Sequence, residues 1–130
     1  MLILSIRTDK PDAEIGLYEN GKKLAYETWH AHRDLSVTIH QKIQDLLTVK
    51  GLTFHKIEGI VVYKGPGSFT GLRIGISLAN ALAYGLSEPI VSTTGKDWQI
   101  DGIAQLKNGE DEVSIIPDYG SEPHVTQPIK

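Results

Sequence analysis

The stretch from Ile60 to Leu86 constrains this chain more than any other, because an apolar run, a glycine-rich turn and a helical pattern follow one another without a break. Ile60-Val61-Val62-Tyr63 is apolar on both faces, as an interior strand of a sheet covered on two sides has to be. Gly65-Pro66-Gly67-Ser68-Phe69-Thr70-Gly71-Leu72-Arg73 then turns the chain sharply. Ser68 or Thr70 can offer a hydroxyl oxygen to the unpaired amides of a helix that runs on to about Gly85. Pro89 to Thr93 follows closely enough to lie parallel to the first strand, which makes the whole a right-handed βαβ unit.

The rest of the chain can be fitted around that unit. Leu2 to Ile6 reads as a buried strand, and Ala13 to Glu19 and Lys22 to Trp29 flank Asn20-Gly21. Asn-Gly supplies the two positive φ angles of a tight hairpin turn, so three strands open the fold as a meander. Asp34 is a candidate N-cap for a first helix, in which Leu35, Ile39, Ile43, Leu46 and Leu47 recur at helical spacing until Gly51. The central strand is expected within Ile57 to Lys64, and a weaker helix over Gln99 to Leu106. Lys107 to Glu112 reads as a charged linker, Val113 to Ile116 as one more strand, and Ser121 to Lys130 as an extended tail. The class is α/β, with one core in 130 residues.

Charge and composition exclude several functions. With a formal charge of −3 and a pI near 5.9, the chain lacks the basic surplus that neutralises a nucleic-acid backbone, so any RNA contact is expected to be indirect. It has no cysteine, which removes disulfides, thiolate catalysis and Cys-ligated zinc. The apolar N-terminus is too short for a signal peptide and no run suits a membrane span, so a cytoplasmic protein is the expectation. The glycine turn lacks the lysine and hydroxyl residue of a phosphate-binding Walker loop, because Leu72 and Arg73 follow Gly71. Gly67-Ser68-Phe69 departs from the nucleophile-elbow pattern of hydrolases. His30 and His32 share a face if both lie on a strand, but no third metal ligand is evident nearby.

The second helix is apolar around well over half its circumference. Gly71, Gly75, Ala79 and Ala83 form a small-residue stripe flanked by Ile74, Leu78, Leu82 and Leu86, and only Arg73, Ser77, Asn80 and Tyr84 fall on the polar side. Glycines inside a helix cost about 1 kcal/mol each unless a close backbone approach offsets it. Two readings stay open: the stripe seats the helix on its own sheet, or it is offered to a partner, which is the reading preferred here.

The run YKGPGSFTGLRIGISLANALAYGL, Tyr63 to Leu86, resembles the signature of the TsaB (YeaZ) family, and the order of elements is similar through about residue 106. Ile116-Pro117-Asp118-Tyr119 and Glu122 to Thr126 also resemble that family's C-terminal ending. The resemblance implies a single actin-like, Hsp70-like (ribonuclease H-like) lobe with a mixed sheet over residues 1–106. It further implies a linker at 107–112 in place of most of a second lobe, and a retained strand and tail at 113–130.

As to function, the resemblance implies a non-catalytic scaffold subunit without a cofactor. Such a subunit binds the catalytic subunit TsaD, with the ATPase TsaE, for threonylcarbamoyl modification of adenosine 37 in tRNA. The expected partner surface is the turn Gly65, Pro66, Gly67, Ser68, Phe69, Thr70, Gly71, with Leu72, Arg73, Ile74, Gly75, Leu78, Ala79 and Leu82 of the second helix and Leu35, Ile39 and Ile43 of the first. Self-association through the same helices is the alternative, and a peptidase-like hydrolase the remote one. One departure stands out: where relatives of this fold carry an aspartate at the end of the first strand, the resemblance puts Arg7, a cation that would repel a divalent metal.

Overall fold

A computed structural model describes residues 1–117, and the tail expected beyond Pro117 lies outside the described residues. Five strands, β1 (Leu2–Arg7), β2 (Asp12–Glu19), β3 (Lys22–His30), β4 (Gly59–Tyr63) and β5 (Ile90–Thr93), form one sheet in the order β3-β2-β1-β4-β5. The meander and the βαβ unit are both present. β1 is antiparallel to β2, pairing Leu4 with Leu17, and parallel to β4, pairing Leu4 with Ile60, while β4 and β5 are parallel. Asn20 and Gly21 take φ angles of 53° and 83°, as the two-residue hairpin turn demands.

Helices α1 (Leu35–Val49) and α2 (Phe69–Leu86) cover one face of the sheet, and α3 (Trp98–Lys107) covers the other. Alternation along β4 divides the core between them. On the α3 side, a Cβ on Gly59 would meet Leu106, the Val61 side chain fills the space above Gly102, and Tyr63 meets the Trp98 ring edge-on. α1 begins after a 3₁₀ turn, His32–Asp34, and Asp34 makes no side-chain cap there; instead the Thr38 hydroxyl donates to the Asp34 carbonyl at 2.9 Å. Among the described residues no helix is long and apolar enough to cross a membrane.

The strand expected at Val113 to Ile116 does not form. The segment after α3 runs along the free edge of β5, but side chains replace the backbone ladder. The Glu112 amide donates to the Ile90 carbonyl at 2.8 Å, while its carboxylate accepts from the Ser92 amide at 2.7 Å and the Ser92 hydroxyl at 2.9 Å. Asp111 accepts from the Ile90 amide at 3.1 Å. The Asn80 side chain on α2 then clasps Ile115 from both sides, accepting from its amide at 2.9 Å and donating to its carbonyl at 3.2 Å. Carboxylates thus satisfy an edge that a strand would otherwise pair.

The small-residue stripe of α2 faces inward, which corrects the reading that offered it to a partner. The Thr8 hydroxyl donates to the Gly71 carbonyl at 2.8 Å, and a Cβ on Gly75 would lie 2.1 Å from the Thr8 hydroxyl oxygen. Leu72, Ala79 and Ala83 are buried on the same side. The contact that offsets the glycines is therefore made within the chain, by Thr8 just past the end of β1. Gly75→Ala is expected to destabilise the protein by about 2 kcal/mol in urea unfolding, because overpacking outweighs the gain in helix propensity. Pairing it with Thr8→Ala should recover part of that loss.

A second contact ties α3 to the meander. The Tyr26 hydroxyl donates to Glu14, and Gln99 on α3 donates to the Tyr26 oxygen at 3.2 Å. Burial first, then the bond to Glu14 and its charge, push the Tyr26 hydroxyl well above its ordinary value. Because the folded state disfavours the phenolate, this contribution is complete below pH about 10 and is lost as pH rises further. Tyr26→Phe should accordingly flatten the fall of the urea midpoint between pH about 9.5 and 11.

Candidate functional site

The C-terminal end of β1 and the glycine turn before α2 are built onto each other. The Ser68 amide donates to the Asp9 carbonyl at 3.0 Å, and a Cβ on Gly67 would lie 2.4 Å from the Asp9 Cβ, so only glycine lets the turn come this close. Ser68 caps α2 as expected, its hydroxyl accepting from the Gly71 amide at 3.5 Å. That places the one serine with a hydrolase-like setting in a structural task.

Asp9 is a residue that the sequence reading missed. It is buried beside Arg7, whose guanidinium donates to its two carboxylate oxygens at 2.7 and 3.1 Å and sits 3.9 Å over the Tyr63 ring. A carboxylate therefore does stand at the end of β1, two residues beyond the position considered, and Arg7 neutralises it. The hydrogen bond to Asp9 raises the Arg7 guanidinium above its ordinary value against the opposing effect of burial. A carboxylate held by both oxygens in a guanidinium fork is poorly disposed to ligate a metal as well. The signal was available, since an acidic residue just past a strand and two after an arginine suits such a fork.

The outer side of α1 and α2 carries two adjoining hollows. One, of about 470 Å³, lies between the helices and is lined by Ser36, Ile39, His40, Thr70, Arg73, Ile74, Ser77 and Leu78. The other, of about 490 Å³, shares Thr70 and Ile74 and extends over Ser68 and Gly71 to Leu35, Lys10, His32 and Arg33. Of the residues expected at a partner surface, Pro66, Gly67, Ser68, Phe69, Thr70 and Arg73 are exposed, and Gly71, Ile74, Leu78 and Leu82 half-buried. Gly65, Leu72, Gly75, Ala79 and Ile43 are sealed in the interior, while Leu35 and Ile39 are buried residues that floor the hollows. The helix face left exposed or half-buried beside the hollows is thus the Thr70, Arg73/Ile74, Ser77/Leu78 and Leu82 side, one step round from the glycine stripe.

The histidine pair is separated by secondary structure, since His30 ends β3 and His32 lies in the 3₁₀ turn at φ 44°. Their rings stack at 5.9 Å, and His30 Nδ1 meets the Asp12 carboxylate at 2.9 Å. Among the described residues no three His, Cys, Asp or Glu side chains gather as metal ligands.

This architecture, a mixed sheet with α1 and α2 on one face and α3 on the other, is an actin-like, ribonuclease H-like α/β lobe. The structure of YeaZ from Pseudomonas aeruginosa superposes with a TM-score of 0.63 at 27% identity, over 72% of this chain and 45% of that one. The family model described as TsaD, tRNA N6-adenosine threonylcarbamoyltransferase, matches residues 29–97. The Escherichia coli K12 protein named tRNA threonylcarbamoyladenosine biosynthesis protein TsaB is 34% identical over 118 residues, covering 87% of this chain and 48% of that protein. Its Haemophilus influenzae namesake is 25% identical over 130 residues, covering 100% of this chain and 55% of that protein. The chain belongs to the TsaB (YeaZ) family. It spans about half the length of the curated relatives it matches.

The Arg7–Asp9 pair is expected to behave as one unit. Arg7→Met should cost about 2–4 kcal/mol in urea unfolding by leaving a buried carboxylate unpaired, and the double variant Arg7→Met/Asp9→Asn should lose less than the sum of the single changes.

Proposed function

We propose that this chain is a non-catalytic subunit in tRNA threonylcarbamoyladenosine biosynthesis, docking through the outer face of α1 and α2 onto a TsaD-like catalytic subunit, with a TsaE-like ATPase joining the assembly. The observation that carries this is the row Ile74, Leu78 and Leu82, packed against the core on one side yet only half-buried after α2 has seated on its own sheet. The part of that row left exposed, bordered by polar side chains, suits a helix laid alongside. Family membership supports the pathway. On this reading the lobe of residues 1–106 is sufficient for docking.

The Arg7–Asp9 fork supports the non-catalytic part of the proposal, because it ties up the carboxylate at the strand end. Ser68, engaged with α2, has no evident part in acyl transfer.

Size-exclusion chromatography with the TsaD-like subunit of the same organism tests the reading. The wild-type chain should co-elute, and Leu78→Asp should abolish co-elution while leaving the thermal melt within a few degrees, since a carboxylate in an apolar contact costs several kcal/mol of binding. Co-elution that survives Leu78→Asp would place docking elsewhere.

A further inference from the structure

The carboxyl ends of β4 and β5 open onto a hollow of about 450 Å³ to which neither α1 nor α2 contributes a lining residue. In open α/β sheets the crevice outside the carboxyl ends of the strands is where small ligands are held. Lys64, the residue after β4, and Thr94, the residue after β5, line its strand side, and Asp101, Ala104 and Gln105 of α3 its helix side. The wall between them is pinned. The Lys64 amide donates to the Thr93 carbonyl at 3.0 Å, and the Thr93 hydroxyl donates to the Trp98 carbonyl at the start of α3 at 2.7 Å. Ser92 is committed to Glu112 at 2.9 Å. Four side chains are left over: Lys64, Thr94, Asp101 and Gln105 make no side-chain hydrogen bond or ion pair among the described residues. A cation and a carboxylate therefore line one hollow without pairing with each other or with anything else.

We infer that this hollow binds a free, small polar α-amino acid, its carboxylate on Lys64, its ammonium on Asp101 and its side chain against Thr94 and Gln105. A zwitterion answers both charges at once, because it carries the two opposite groups on one carbon. A phosphate monoester would be drawn to Lys64 but repelled by Asp101. A nucleobase would find nothing to stack on, since Ala104 is the one apolar residue of the lining. A neutral sugar would leave Lys64 and Asp101 unanswered. Exposed ion pairs are individually weak, so affinity has to come from several of these contacts together and stays modest. The chemistry of this site is independent of docking through α1 and α2.

Chemical-shift titration of the isotope-labelled full chain with L-asparagine provides the test, its side-chain amide being able to donate and accept toward Thr94 and Gln105. The amides of Lys64, Thr93, Thr94, Asp101 and Gln105 should shift together, with half-saturation at about 1 mM. N-acetyl-L-asparagine, which lacks the ammonium, and L-asparagine amide, which lacks the carboxylate, should each bind about fivefold or more weakly, and L-leucine about threefold more weakly. Lys64→Met should weaken L-asparagine by the same factor as amidation and the amide no further; Asp101→Asn should weaken L-asparagine by the same factor as acetylation and the acetylated form no further. Thermal melts report whether each variant folds. An absence of shifts at about ten times the stated concentration would overturn the inference. So would equal binding of the acetylated, amidated or leucine probes, or binding of L-asparagine unchanged in both folded variants.

Discussion

The approach of α2 to the end of β1 governs most of what is distinctive here. Thr8 is buried under the helix, its hydroxyl bonded to the Gly71 carbonyl, and the missing side chains of Gly71 and Gly75 leave it room. Because β1 is the central strand, paired on both sides, this contact couples the helix to the most constrained part of the sheet. The turn before α2 is then fixed by Ser68 and Gly67 against Asp9, and the outward face of the helix is set by what the inward face must do. A helix 3.6 residues per turn with one side committed has little rotational freedom left. Ile74, Leu78 and Leu82 are open because Gly75, Ala79 and Ala83 are not.

The same end of β1 determines the electrostatics. Arg7 and Asp9 neutralise each other at the mouth of the glycine turn, with Tyr63 stacked beneath the guanidinium. A buried pair of this kind adds little net stability compared with apolar residues, but removal of one partner is costly. Its consequence for function is subtraction, since a carboxylate held in a fork is not free for other work. Among the described residues, Arg33 and Arg73 on the α1–α2 side make no ion pair, and no carboxylate lines the two hollows they border.

The far edge of the sheet is closed by different means. β5 would present free amides to solvent or to another chain, yet Asp111 and Glu112 accept from Ile90 and Ser92 and keep the edge occupied. Asn80 anchors the same segment to α2, so the described residues after α3 are held against the sheet and its helices. Unpaired edges invite aggregation, and side-chain capping is one way of blunting them.

Periodicity and turn chemistry were enough to recognise the three-strand meander, the first two helices and the βαβ unit, because Asn20-Gly21, the Leu35/Ile39/Ile43 repeat and the strand-turn-helix order act locally. The family was legible in Tyr63 to Leu86 for the same reason, a long contiguous signature. Three things required the tertiary structure. Which side of α2 faces out could not be read from a helix apolar around most of its circumference, since Thr8, sixty-three residues away from Gly71, decides it. The spacing of Arg7 and Asp9 suits a fork, but its seat over the Tyr63 ring of another strand was set by the fold. Val113 to Ile116 has strand-like composition, but Glu112 and Asp111 had already bonded the β5 edge beside it. Local sequence determined the elements; contacts between residues distant in the chain decided which of their faces were left over.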